Sequence, residues 1–182
     1  MAQEIRVLVV DDEALVRHAF GFFITSAPGM VLVGEASDGQ VALDMVEALA
    51  PDVVLMDIQM PVLDGIEATA LLAASHPEVR VLAVTTFSSA RHVVPAVRAG
   101  ASGYLLKDSE PEELIDAIRS VHQGGYVLSK DVAGALIEAV RHEQPPPTIE
   151  ILRASELLTS REEEVVRALG EGLSNPEIAG RL

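Results

Sequence analysis

Three aspartates, a threonine and a lysine are the residues of this 182-residue chain best suited to chemistry. Asp11 and Asp12 are adjacent, Asp57 follows a short apolar run, Thr85 is doubled by Thr86, and Lys107 closes a further apolar run. Adjacent carboxylates repel and lose solvation unless a cation sits among them. An all-oxygen donor set with few protein ligands suits Mg²⁺, which retains waters and favours a phosphate partner. Lysine binds phosphate as a point charge. A hydroxyl adds one hydrogen bond to a phosphoryl oxygen, and a carboxylate can itself take up a phosphoryl group as a nucleophile. These residue types together describe a site that forms and holds an aspartyl-phosphate. Lysine is also scarce, with Lys107 and Lys130 set against eleven arginines. Its use at position 107 supports a specific role there.

Such a site exists only if the fold brings these positions together. Short runs rich in Val, Ile and Leu at 5–10, 31–35, 53–56, 79–84 and 103–106 read as strands buried on both faces. Amphipathic stretches at about 14–26, 39–49, 66–75, 90–99 and 111–122 read as helices between them. Five strand–helix repeats predict a parallel sheet with helices on both faces. Asp11 and Asp12 follow the first strand, Asp57 the third, Thr85 and Thr86 end the fourth, and Lys107 follows the fifth. The carboxyl ends of parallel strands share one edge, where ligands bind in doubly wound folds. Only one of the two threonines can face that crevice, because side chains alternate along a strand; Thr86 is read as structural. Asp64-Gly65 reads as a turn without chemistry. Ser109 and Glu112 form a capping-box pattern before the last helix. Pro95 lies past the first turn of the helix at 90–99, so that helix is expected to start near Val93 or to kink, leaving 87–94 mobile.

Composition narrows the class. Thirteen basic against 28 acidic residues give a net charge of −15, and 49% of residues are apolar. That excludes a disordered chain and argues against attraction of the whole surface to nucleic acid or anionic membrane. There is no cysteine, hence no disulfide framework and no thiolate metal site. The five histidines are scattered without metal-ligand spacing. No apolar run approaches a membrane span, and the start MAQEIRVLVVDD is not a secretory signal. A cytoplasmic protein with no membrane partner is the expectation.

After Gly124-Gly125 the sequence predicts a short extended piece and a helix at about 131–142. Three prolines at 145–147 then mark a stiff linker at about 143–155. Thr159…Glu162 and Ser174…Glu177 are further capping-box patterns that open two short helices. The expected division is 1–125, 126–155 and 156–182.

The segments VLVVDDE at 7–13, LMDIQMPVLDGIEAT at 55–69, AVTTF at 83–87 and AGASGYLLKD at 99–108 closely resemble the receiver domain of two-component response regulators. LTSREEEVVRALGEGLSNPEIAGRL at 158–182 resembles the start of a LuxR-type helix-turn-helix, and the pair points to the NarL/FixJ subfamily. The resemblance implies a flavodoxin-like α/β fold, a doubly wound five-stranded sheet of order 2-1-3-4-5, as known for receivers. An incomplete all-α helix-turn-helix segment would follow the linker. It implies that Asp57 accepts a phosphoryl group from a sensor histidine kinase. Asp11, Asp12 and Asp57 would hold Mg²⁺ with the backbone carbonyl of Gln59. Thr85 and Lys107 would contact the phosphoryl group, and Tyr104 would change rotamer when Thr85 moves. Gln59 and Phe87 sit where the family tunes phosphoryl lifetime. Phosphorylation and dephosphorylation would be self-catalysed, without a turnover enzyme's substrate, and phosphorylation would promote a homodimer that acts on DNA.

A helix-turn-helix reads bases with its second helix, and the helix opening at Ser174 is the first. The recognition helix is expected to be missing from this chain, whether as a shortened form or a natural truncation. Specific DNA binding would then need the complete domain, and residues from about 148 onward are expected to be loosely ordered or packed on another copy. Two other readings use the same residues: a Mg²⁺-dependent aspartyl-phosphate phosphatase or phosphotransferase, and a receiver acting only through protein contacts. The short connections leave no room for a cap insertion, and no glycine-rich phosphate loop follows the first strand.

Overall fold

A computed structural model describes residues 4–86, 89–129, 132–134, 136 and 137. They alternate as β1 (Ile5–Val10), α1 (Ala14–Ser26), β2 (Met30–Ala36), α2 (Gly39–Leu49), β3 (Val53–Met56), α3 (Gly65–Ser75), β4 (Arg80–Thr85), α4 (Ala90–Arg98), β5 (Gly103–Leu106), α5 (Pro111–His122) and β6 (Val127–Leu128). All strand pairs are parallel, in the order β2-β1-β3-β4-β5-β6.

The period-two alternation of the strands sorts the core onto the two faces of the sheet. Val7, Val9, Leu55, Leu82, Val84 and Leu105 pack with Phe20 and Ile24 of α1 and Leu114, Ile118 and Val121 of α5. Leu8, Val10, Val54, Met56 and Val81 point the other way, onto Ala42 and Val46 of α2 and Ala68 and Leu72 of α3. Burial on both faces is why these strands read as unbroken apolar runs. Asp38 and Asp64 cap α2 and α3, accepting from Val41 N–H at 3.0 Å and from Ile66 and Glu67 N–H at 2.9 and 2.8 Å.

Four features differ from the sequence reading. The sheet has six strands among the described residues, not five. Val127 N–H donates to the Ser102 carbonyl and Ser129 N–H to the Tyr104 carbonyl, each at 3.3 Å, which adds β6 beside β5. The boundary expected at residue 125 therefore falls too early: β6 belongs to the sheet, and helical residues 132–134, 136 and 137 follow, with Val132 fully buried. The helix expected to start near Val93 or to kink at Pro95 runs from Ala90 to Arg98 as one helix. Val93 and Ala96, three apart, are buried against the sheet, and this packing outweighs the one backbone bond that proline removes. Finally, α5 starts from Glu110 with Pro111 at its first position and makes no side-chain cap bond. Proline there supplies a preset φ and lacks an N–H that would otherwise go unpaired, so the Ser109…Glu112 box does not set the start. The linker at 143–155, the later capping boxes and the helix-turn-helix segment lie outside the described residues. Among the described residues no helix is long and apolar enough to cross a membrane.

Candidate functional site

Backbone pairing runs one residue past the strand ends and so sets the site. Asp57 N–H donates to the Val10 carbonyl at 2.9 Å, Asp11 N–H to Ala36 at 3.1 Å, and Lys107 N–H to Thr85 at 2.9 Å. Asp11, Asp57, Thr85 and Lys107 thereby share the carboxyl edge of the sheet. Lys107 Nζ reaches across it, 2.7 Å from Asp11 Oδ2, 3.0 Å from Asp57 Oδ2 and 3.8 Å from Glu13 Oε1. The remaining oxygens are held from the backbone: Ile58 N–H donates to Asp57 Oδ1 at 2.7 Å and Glu13 N–H to Asp11 Oδ1 at 2.9 Å.

Asp11 and Asp57 are buried and Asp12 is exposed, yet each offers a carboxylate oxygen within 4.8 Å of the others. Burial raises the Asp57 carboxyl above the ordinary carboxylate range. Lys107 and the Ile58 N–H oppose that and the Asp11 charge adds to it. Burial would depress the Lys107 ammonium, but its hydrogen bonds to Asp11 and Asp57 and their charges hold it above its usual value. One lysine thus leaves the acidic cluster under-neutralised. The all-oxygen donors and the solvent-facing Asp12 fit a hard divalent cation that keeps part of its water shell.

Thr85 is fully buried, and its Oγ1 has no hydrogen-bond partner; Thr86 is exposed. A buried hydroxyl without a partner is destabilised by about 1–3 kcal/mol, a cost that an oxyanion beside Asp57 would relieve. Tyr104 is fully buried beside Ala83 in the β4–β5 register. Burial, with a smaller contribution from the Asp57 charge, raises its phenol pKa. Gln59 is exposed and lines, with Asp12, Met60, Pro61 and His92, an open cleft of about 440 Å³. Phe87 lies outside the described residues.

Three features of the site were not read from the sequence. Glu13 approaches Lys107 as a further acid. Gly65 packs on the phosphoacceptor candidate itself: its N–H donates to the Ile58 carbonyl at 2.9 Å, and a Cβ there would collide with the Asp57 carbonyl. The Asp-Gly pair signalled only a turn. Val62 adopts φ +69°, and Leu63 N–H donates to the Pro61 carbonyl at 2.9 Å, a γ-turn beside the cleft. A β-branched residue there is strained, and nothing in the sequence marks it.

Comparison with known proteins adds four findings. Residues 7–119 match the response regulator receiver domain. Over 181 residues the chain is 39% identical to the transcriptional regulatory protein LnrK of Bacillus subtilis, covering 98% of this chain and 82% of that protein. Over 176 residues it is 33% identical to the nitrate/nitrite response regulator protein NarL of Escherichia coli, covering 97% and 80%. A crystal structure of a LuxR-family two-component response regulator from Aurantimonas matches at TM-score 0.72 and 34% identity, covering 77% of this chain and all of that one.

Proposed function

The chain belongs to the response regulator receiver family, and on that basis we propose that Asp57 is the residue through which it is switched. Its relatives are transcriptional regulators of two-component systems, and it is a response regulator. In the proposed reaction a carboxylate oxygen of Asp57 attacks the phosphorus of a phosphohistidine on a sensor kinase. The P–N bond breaks, the imidazole leaves with its electron pair and a proton from solvent, and an acyl phosphate remains. Hydrolysis of that acyl phosphate by water releases inorganic phosphate and returns the Asp57 carboxylate. The chain thus catalyses its own phosphorylation and dephosphorylation without being a turnover enzyme.

Lys107, already between Asp11 and Asp57, pairs with the phosphoryl oxygens. Thr85 Oγ1 gives the hydrogen bond it lacks, and Gly65 and Ile58 fix the Asp57 backbone. Asp11, Asp12 and Asp57, with the carbonyl of Gln59, would hold Mg²⁺, which when bound neutralises negative charge on the transferring group. Phosphorylation then biases one of two conformations, which pairs with a second copy and acts on DNA through a complete helix-turn-helix. The proposed organisation is a receiver continued through β6 and the following helix, then a linker and the DNA-binding unit.

The observation that carries this reading is the Lys107 ammonium bridging two buried carboxylates beside an unpartnered threonine hydroxyl. It favours a switch over a phosphatase, because the connections around the acids are short and the described cleft beside Asp12 is open. Phosphotransfer tests it: a radiolabelled histidine kinase domain with Mg²⁺ should label the wild type and leave Asp57→Asn unlabelled. Equal labelling of Asp57→Asn would overturn it.

A further inference from the structure

A third buried cluster lies on the sheet face that carries α2 and α3, further along at β4 and β5. It joins Ile58, next to Asp57, with Ala83 of β4, Val93 and Ala96 of α4, Tyr104 of β5, and Val132 beyond β6. Tyr104, Val93 and Val132 are each wholly inaccessible to solvent. Val132 is brought there by a defined backbone path. Ser129 N–H donates to the Tyr104 carbonyl at 3.3 Å, and Ala133 N–H donates to the Ser129 carbonyl at 2.9 Å, turning the chain into the helical residues. Gly103 makes this approach possible, since a Cβ there would stand 3.0 Å from the Val127 carbonyl oxygen and 2.7 Å from Leu82 Cδ1. The segment after the last long helix therefore completes the packing around the tyrosine that shares a cluster with Ile58, the residue after Asp57.

We infer that Val132 is a positioning residue for the phosphoryl site. By closing the cluster around Tyr104, it holds the conformation in which the Thr85 hydroxyl stays unpartnered, and it couples occupancy of the site to residues 127–129 and 132–134. A conformation that leaves Thr85 Oγ1 without a partner has the most to gain from a phosphoryl oxygen, so whatever favours that conformation tightens phosphoryl binding. Linkage makes the effect mutual: a ligand at Asp57 must favour the packed form of residues 127–129 and 132–134 to the same degree. The inference rests on the phosphoacceptor reading above.

The test uses the full chain carrying Tyr126→Phe, which leaves Tyr104 as its one tyrosine. Beryllofluoride, a phosphoryl mimic, is titrated with Mg²⁺, bound ligand is read by fluorine NMR, and Tyr104 fluorescence and hydrogen exchange of 127–137 are followed alongside. Val132→Ala should raise the half-saturating concentration about tenfold, within the span usual for coupled sites. Val132→Ile should bind like the parent. Val121→Ala, equally buried but in the cluster with α1 and α5, should lose stability and keep its affinity. Beryllofluoride should slow exchange at 127–137 in the parent and less in Val132→Ala. Should Val132→Ala fail to fold, Val132→Thr, of the same shape, carries the test with the same expected direction. Unchanged affinity in the Val132 variant, or equal weakening in Val121→Ala, overturns the inference and leaves the site reading intact. A parent that binds no beryllofluoride overturns the site reading and this inference with it.

Discussion

Replacing Lys107 by methionine tests the electrostatics of the site by removing its cation and keeping most of its bulk. In the wild type Nζ lies 2.7 Å from Asp11 and 3.0 Å from Asp57, whose side chains are 2% and 6% exposed. Breaking a buried ion pair from one side leaves uncompensated charge and typically costs about 3–5 kcal/mol. The open side at Asp12 admits water, so a loss of about 3 kcal/mol is expected at pH 7 in chelator. The pH dependence has a definite sign. Burial already raises the folded Asp57 carboxyl, and removing Lys107 deletes both of the lysine's opposing contributions, raising it further. A raised folded pKa stabilises the folded state below the unfolded value and loses that contribution as pH rises through the folded one. The Lys107→Met deficit should therefore shrink as pH falls from 7 toward 4. It should also shrink in an Asp57→Asn background, where one of the stranded charges is gone. Urea denaturation followed by circular dichroism, at several pH values with chelator, measures all of this. A Lys107→Met loss under about 0.5 kcal/mol at pH 7, the size of an ordinary surface change, would refute the reasoning. So would the same loss with Asp57 and with Asn at that position.

Asp57→Asn alone should melt a few degrees above wild type at pH 7 in chelator, with the gap closing toward pH 4, because the wild-type carboxylate is ionised there against the preference of its buried setting; calorimetric melts across pH check this. Gly65→Ala should lose about 3 kcal/mol by pushing its Cβ onto the Asp57 carbonyl, and should take up phosphoryl groups from acetyl phosphate more slowly than a surface control. Val62→Gly should gain about 1 kcal/mol in urea denaturation by relieving the +69° φ at an exposed position; a loss of stability would show that the γ-turn is not strained.

The sequence carries the sheet because burial on both faces turns each strand into a short apolar run, and the five runs stand at or within a residue of β1 to β5. Asp11, Asp57, Thr85 and Lys107 could be gathered on paper because each follows or ends such a run. What could not be read was set by contacts distant along the chain. Val127–Leu128 is too short and too exposed to show any period, and it becomes a strand only because Gly103 lets it approach β5. Pro95 is a local helix breaker overruled by the packing of Val93 and Ala96. Gly65 and Val62 owe their conformations to the β3–α3 connection, and only the Asp-Gly pair hinted at a turn there. The partnerless hydroxyl of Thr85 is a property of the folded core that no residue pattern reveals.

The central claim is that Asp57, served by Lys107, Thr85 and a divalent cation among the aspartates, takes up a phosphoryl group. Intact-mass spectrometry after incubation with acetyl phosphate tests it most directly, with Mg²⁺ or with chelator, for the wild type and Asp57→Asn. The account predicts one added phosphoryl group on the wild type in Mg²⁺, none in chelator and none on the variant. An adduct of the same yield on Asp57→Asn, or one indifferent to chelator, would contradict it.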